Sequence, residues 1–503
     1  MKRTFRAFVF LFVVTSLVMA QVSSLDDWDK KIMAEESSHS ELMKNLEYLC
    51  DMIGPRMTGS ERMKEANEWT ADRFKDYGLK NVHLESWKFG VTWNRGPVSA
   101  RVAKPNGLPL TVAQQAWTPG TNGPKEGEVV FVDIKEAKDV EKYKGKLRSA
   151  WVLLGEPAKI PAVPPEQRRL RLPDTVQAVQ RAPFDTAAMR RFRQVGGLRD
   201  TLNKFFRSED IAGIIRDAAK EHALLNMTGS PGNFAGMFGG SSTPDQITQV
   251  FMIHEHYAML YRLLRRSEKV TAEMNLESSM GDKPVDAYNT VAEIPGSEKP
   301  DEVVVLGAHL DSWDLGQGTT DNGTGSMTVL EVARILKAID AKPKRTIRFV
   351  LFSGEEQGLL GSRAYVDAHK DEMAKVSGCL VMDIGSGKLR GIALQRNEAV
   401  KLIMDSLLAP FRSMGVIDIN LRNQGGTDHL SFDRAGVPGF SFIQDPLEYG
   451  KTHHSQTDTF DHASEEDLKQ AATVMASLAL KIANLPEMLP RKPAQPAAPA
   501  GGN

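Results

Sequence analysis

Between residues 302 and 486, short and nearly all-apolar runs alternate with segments of helical period, and this alternation constrains the fold more than any other feature of the chain. The runs at 303–308, 347–353, 378–382 and 439–443 are rich in Val, Ile, Leu and Phe. Runs without polar alternation suit strands buried on both faces, as in parallel sheets. Helix-period segments at 327–338, 364–375 and 465–483 supply the covering layers. The expectation is an α/β fold, a mostly parallel mixed sheet sandwiched by helices. An amphipathic helix at 66–77 and a short strand at 82–85 cannot form a core alone, so they join the same domain.

The texture changes between residues 93 and 276. Short β-like runs at 128–132 and 150–154 sit among Gly and Pro turns, with helical pieces at 214–222 and 256–266. This predicts a β-rich domain at 93–276, inserted into a catalytic domain that occupies 21–92 and 277–486. Within it, residues 157–207 hold 11 Lys+Arg against 4 Asp+Glu, which predicts a solvated basic face, with a lid or an anionic docking surface as the alternative.

The first 20 residues have the pattern of an export signal. Lys2, Arg3 and Arg6 precede an apolar stretch at 7–20 that ends in Val18-Met19-Ala20, which places cleavage before Gln21. The stretch is shorter than the ~20 apolar residues of a spanning helix. The expected location is secreted or periplasmic, with no membrane span after cleavage. There Cys50 and Cys379 could pair, or remain as buried thiols. Residues 487–503, with Pro490, Pro493, Pro496 and Pro499 among Ala, Gly and Gln, predict a disordered tail. Lys+Arg number 63 and Asp+Glu 64, a balance that offers no electrostatic case for a nucleic-acid partner. Two cysteines cannot build a thiolate zinc cluster, so any metal must be held by His, Asp and Glu.

Those residue types cluster after the strands. His309 and Asp311 follow the first run, with Asp321-Asn322-Gly323 in a Gly-rich loop. Glu355-Glu356 follow the second run, Asp383 the third, and His453-His454 the fourth. Ligands of open α/β sheets bind beyond the carboxyl ends of the strands. Imidazole and carboxylate suit Zn²⁺, and a two-metal site needs a carboxylate that bridges ions about 3.5–4 Å apart. Asp321 is the bridging candidate. One metal would take His309 and Asp383, the other Glu356 and His454. Glu355 would be the general base, and Asp311 would hydrogen-bond the second ring nitrogen of His309.

The order His309-Leu310-Asp311, Asp321-Asn322-Gly323, Glu355-Glu356, Asp383 and His454-Ser455 with Asp458 resembles the co-catalytic dizinc exopeptidases. That group includes the bacterial leucyl aminopeptidases, and the carboxypeptidase Q-like members look most similar. Ile53-Gly54-Pro55-Arg56, Thr58-Gly59-Ser60 and Gly426-Thr427-Asp428-His429 resemble the same family. The resemblance implies a zinc exopeptidase-like fold, two Zn²⁺ ions, and peptide substrates cut at their ends or as dipeptides, with aminopeptidase or dipeptidase action preferred over carboxypeptidase. A homodimer is compatible with it. It implies that the insert is a protease-associated domain, on residues 128–132, 212–217 and 250–256. Several relatives carry a tyrosine immediately before the last His ligand, as donor to the tetrahedral intermediate. His453 stands there in this chain and is the expected donor; Tyr449 competes for the role, and a surface or supporting histidine is the other reading of His453.

Two readings compete with a dizinc hydrolase. Glutaminyl cyclases resemble the family but use a single zinc, which the retention of His309 and Asp383 beside Glu356 and His454 argues against. A receptor-type binding protein should show substituted ligands, and none is substituted. No Gly-x-Ser-x-Gly elbow occurs, and Gly385-Ser386-Gly387-Lys388 lacks both the first Gly and the Ser/Thr of a phosphate loop.

Overall fold

The computed structural model describes residues 25–160, 198, 201–232 and 247–493. The expected export signal and most of the basic segment lie outside them. The first strand, β1 (Lys80–Asn94), precedes seven strands of a second sheet: β2 (Val98–Lys104), β3 (Val112–Gln114), β4 (Lys125–Val132), β5 (Trp151–Leu154), β6 (Gly213–Asp217), β7 (Gln249–Met252) and β8 (Thr271–Leu276). The chain then returns to the first sheet through β9 (Ser279–Ile294), β10 (Lys299–His309), β11 (Arg345–Phe352), β12 (Val376–Val381), β13 (Leu389–Ala393), β14 (Asp418–Asn420) and β15 (Gly439–Gln444). The main helices are α1 (Asp27–His39), α2 (Glu61–Asp76), α3 (His254–Arg265), α4 (Thr324–Ala338), α5 (Leu360–Ala368), α6 (His429–Arg434) and α7 (Glu465–Ala483).

The first sheet runs β1-β9-β11-β10-β12-β15-β13-β14. Its centre is parallel: β10 pairs with β11 and β12, and β12 with β15, while β1, β9 and the β13–β15 contact are antiparallel. Residues 303–309 of β10 are all buried. Val304, Leu306 and Ala308 face one core, with α2, α4 and α7, whereas Val303 and Val305 face another that includes Tyr365 of α5 and Phe432 of α6. That alternation under helices on both faces explains why the run at 303–308 has no polar side chain. The second sheet runs β2-β8-β4-β5-β6-β7-β3, parallel from β4 to β7.

Several expected elements differ. Residues 214–222 are no helix: Gly213–Asp217 is a buried strand between β5 and β7. Ile214-Ile215 are β-branched and fit the interior of a parallel sheet, where pairing decides over helical spacing. The helix expected at 364–375 is Leu360–Ala368, followed by a short 3₁₀ turn at Met373–Lys375. The early strand is 15 residues long rather than four. Of the expected tail, residues 487–493 are docked: Leu489 is 3% exposed, and Arg491 donates to the carbonyls of Met373, Val376 and Gly436. Cys50 and Cys379 are both free and buried.

Candidate metal centre

Parallel strands lying side by side deliver the expected residues to one edge. His309 closes β10, Glu355-Glu356 follow β11, Asp383 follows β12, and the loop with His453 and His454 follows β15. His309 Nε2 lies 3.0 Å from Asp383 Oδ1 and 3.4 Å from Asp321 Oδ1. His454 Nε2 lies 3.0 Å from Glu356 Oε2 and 3.4 Å from Asp321 Oδ2. Each oxygen of Asp321 therefore faces a different imidazole–carboxylate group. His453 Nε2 is 3.8 Å from Asp321 Oδ2, and its ring stacks on that of His454 at 3.7 Å.

The loops are held by buried polar contacts. Arg56 is fully buried, and its guanidinium donates to the carbonyls of Gly54, Leu310, Gln317 and Gly318, which fixes the course of the 310–318 loop. Gly318 has φ +64°, and a Cβ there would lie 2.2 Å from Ser312, so only glycine fits. Asp458 accepts from the Thr320 amide (2.6 Å), the Thr320 hydroxyl and the Asp321 amide, aiming the Asp321 side chain. Asn322 donates to Met382 O, tying that loop to the end of β12. Asp311 differs in detail from expectation. His309 Nδ1 makes its 3.0 Å contact with the main-chain carbonyl of Asp311, and the carboxylate is 3.5 Å away. The carboxylate instead accepts from the Thr58 hydroxyl and from the amides of Glu355 and Glu356.

The electrostatics fit a cation. Burial, reinforced by neighbouring carboxylates, pushes Glu355 and Glu356 well above the ordinary range, and burial also raises Asp383. For His309, burial works against the charged form, but Asp383, Asp311 and Asp321 prevail and raise it. Burial lowers His454 and takes His453 down to about 4, leaving both as neutral imidazoles at neutral pH. No Lys or Arg forms a salt bridge with Asp321, Glu355, Glu356 or Asp383 among the described residues, and Asp321 Oδ2 and Glu356 Oε1 are buried without a hydrogen-bond partner. Buried carboxylates without counter-charge are costly. A metal would supply that charge, and the nitrogen and oxygen donors suit zinc. His309, Asp321 and Asp383 offer ligand atoms within 4.8 Å of one another, as do Asp321, His453 and His454.

The second sheet reaches this edge. Lys220 Nζ donates to His453 O at 2.6 Å, the Met227 amide donates to His454 O at 2.9 Å, and Gln456 is hydrogen-bonded by its side chain to Leu225 N and Ala223 O. Arg95, just after β1, makes a bidentate pair with Asp314 at 2.8 and 3.0 Å. Trp117, Thr228 and Gly229 share with Glu355, Tyr449 and His453 the wall of a cavity of about 1100 Å³. Lys220 and Arg95 escape reading from sequence as functional residues, because each acts on a loop more than 200 residues away, whereas Thr58 was visible only within a family-like segment. Arg56 and Asp458 were visible only through family likeness.

A model described as Peptidase family M28 matches residues 289–479. Bovine (Bos taurus) carboxypeptidase Q is 28% identical over 455 residues, 89% of this chain and 86% of that protein. A crystal structure of a Peptidase M28 precursor from Shewanella amazonensis superposes with TM-score 0.73 at 25% identity, covering 93% of this chain and 98% of that one. A zinc aminopeptidase from Bacillus subtilis, at 19% identity, shares the fold with TM-score 0.62 over 88% of this chain and 94% of that one.

Proposed function

This chain is a zinc metallopeptidase with a peptidase family M28 domain at residues 289–479, and we propose that it holds two zinc ions and hydrolyses dipeptides or the terminal bonds of peptides. The observation that carries the two-ion reading is Asp321, whose oxygens face His309 on one side and His454 on the other. His309 and Asp383 would hold one ion and Glu356 and His454 the other, with Asp321 shared. When bound, the ions would supply Lewis acidity toward the scissile carbonyl and acidify the attacking water.

The remaining chemistry belongs to the chain. Glu355 accepts a proton of the attacking water as its oxygen adds to the carbonyl carbon, and returns that proton to the leaving amine as the tetrahedral intermediate collapses and the C–N bond breaks. Its raised affinity for protons suits that shuttle. Asp311 holds the Glu355 and Glu356 amides and so sets where both side chains begin. The tetrahedral intermediate takes a hydrogen bond from His453, with Tyr449 competing for that role. Action outside the cytoplasm follows from the signal-like residues 1–20, and an aminopeptidase or dipeptidase mode from the family likeness. Residues 93–276 act as a protease-associated domain that walls the cavity. A homodimer is compatible with this reading.

Metal content and hydrolysis of dipeptides and aminoacyl anilides test it, in wild type and Glu355→Gln. Two zinc ions per chain in both, with turnover reduced about 10²–10⁴-fold only in Glu355→Gln, is the expected result. One ion or none, with no hydrolysis by wild type, would overturn the reading.

A further inference from the structure

The cavity beside the metal ligands has three long cationic side chains in its wall: Lys88, Arg363 and Arg434. Lys88 is paired with Asp286 at 2.7 Å. Arg363 and Arg434 make no ion pair and no side-chain hydrogen bond among the described residues. Two helices bring them to the same wall. Ser362 Oγ of α5 and Ser431 Oγ of α6 are 2.8 Å apart, and the rings of Tyr365 and Phe432 lie at 5.8 Å. Arg363 follows Ser362 directly, and Arg434 sits one turn beyond Ser431.

Like charges repel, and Asp367, one turn along α5, offsets only part of the Arg434 charge at Arg363, so an anion beside the pair is favourable. Burial and the charge of Arg434 together hold Arg363 below the usual arginine range. Exposed arginines at a protein surface are ordinarily solvated, but these two share a cavity with Glu355, Asp321 and Asp383. The cavity wall therefore carries both carboxylates and guanidinium groups. A guanidinium is a planar fork of donors that matches a carboxylate in bidentate fashion.

We propose that Arg363 and Arg434 receive the C-terminal carboxylate of the substrate, so that the bond presented to Glu355 is one close to a free C-terminus, as in a dipeptide. This rests on the exopeptidase reading above and deepens it by assigning the residues that recognise the leaving side. Bound there, the carboxylate orients the leaving amine toward the proton that Glu355 returns.

The test compares the free acid Ala-Leu, its C-terminal amide, and Ala-Glu amide, with wild type, Arg363→Met, Arg363→Lys and Arg434→Met. In wild type, kcat/KM for the free acid should exceed that for its amide by about 10–100-fold, the scale of hydrogen bonds to a charged group. That ratio should fall toward about 1 in Arg363→Met, chiefly through KM, should be partly restored in Arg363→Lys, and should fall part of the way in Arg434→Met. Ala-Glu amide should be as poor a substrate as Ala-Leu amide. A ratio unchanged in Arg363→Met and Arg434→Met overturns the proposal, as does an arginine-dependent preference for Ala-Glu amide, which would assign the pair to an acidic side chain. Wild type that hydrolyses acid and amide alike also overturns it while leaving the exopeptidase reading standing. Wild type that hydrolyses none of the three removes the exopeptidase reading itself. Zinc content and the thermal midpoint of each variant report folding, and Arg434, exposed at the end of α6, gives a variant whose core is untouched.

Discussion

His453 and Tyr449 line the same cavity from one short stretch of chain, and their chemistry separates them. His453 stacks on His454 and is neutral at neutral pH, so it can donate from only one ring nitrogen. Tyr449 packs edge-on to His453 at 5.0 Å, and burial with the surrounding carboxylates raises its hydroxyl well above the usual range, so it stays a donor at any working pH. His453→Phe and Tyr449→Phe should therefore be read as a pair. Loss of about 10²–10³ in turnover, the usual contribution of an oxyanion donor, is expected in His453→Phe alone. The same loss in Tyr449→Phe alone would move the role to the tyrosine. The choice between them was not legible in the sequence, because both lie within five positions of the last expected ligand and spacing cannot say which side chain faces the cavity.

At the scale of elements, α1 is clasped to α4 and α7 by buried charge. Asp29 takes Lys481 at 2.7 Å and the Ser477 hydroxyl. Glu36, 2% exposed, meets Glu331 of α4, and one of its oxygens has no partner. Burial and the Glu331 charge push Glu36 up to about 9 from the ordinary 4.5. Between those values the folded state binds a proton that the unfolded state has lost, so stability falls as pH rises. The contribution is complete below about 4.5 and is lost as pH passes through about 9. Glu36→Gln keeps the neutral form at every pH. Its thermal midpoint should gain on wild type progressively from pH 5 to pH 9, by a few degrees at the alkaline end. Parallel curves would show that Glu36 does not carry this slope. Helical period predicted α4 and α7 well; α4 is buried from Thr324 to Leu336, and its charged Glu331 and Arg334 pair with each other. Periodicity failed at 214–222, where the neighbouring strands of a parallel sheet decide the conformation.

The whole molecule joins its two sheets at the candidate metal centre. His454 has φ +57°, a left-handed conformation that a non-glycine residue keeps only when its surroundings hold it. The holding contacts come from residues 220–227, through Lys220 on His453 O and the Met227 amide on His454 O. Lys220→Met should loosen the loop and weaken metal retention by about 10-fold, within the range for supporting contacts around metal ligands. Zinc remaining after dialysis against a chelator series measures this without recourse to activity. Retention equal to wild type would show that the loop holds its conformation alone.

The sequence by itself determined the parallel core, the order of the ligand-bearing loops and the chemistry of the donors. Those depend on apolar runs, on helical spacing and on the fact that the ends of parallel strands share one edge. The tertiary structure alone decided that the two oxygens of Asp321 face different histidines, that Arg56 and Asp458 fix the loops, that residues 220–227 hold the loop of His453 and His454, and that Arg363 and Arg434 share a wall with Glu355. Each of these joins segments far apart in the chain. The energy of such contacts depends on distance and burial, which local pattern does not encode.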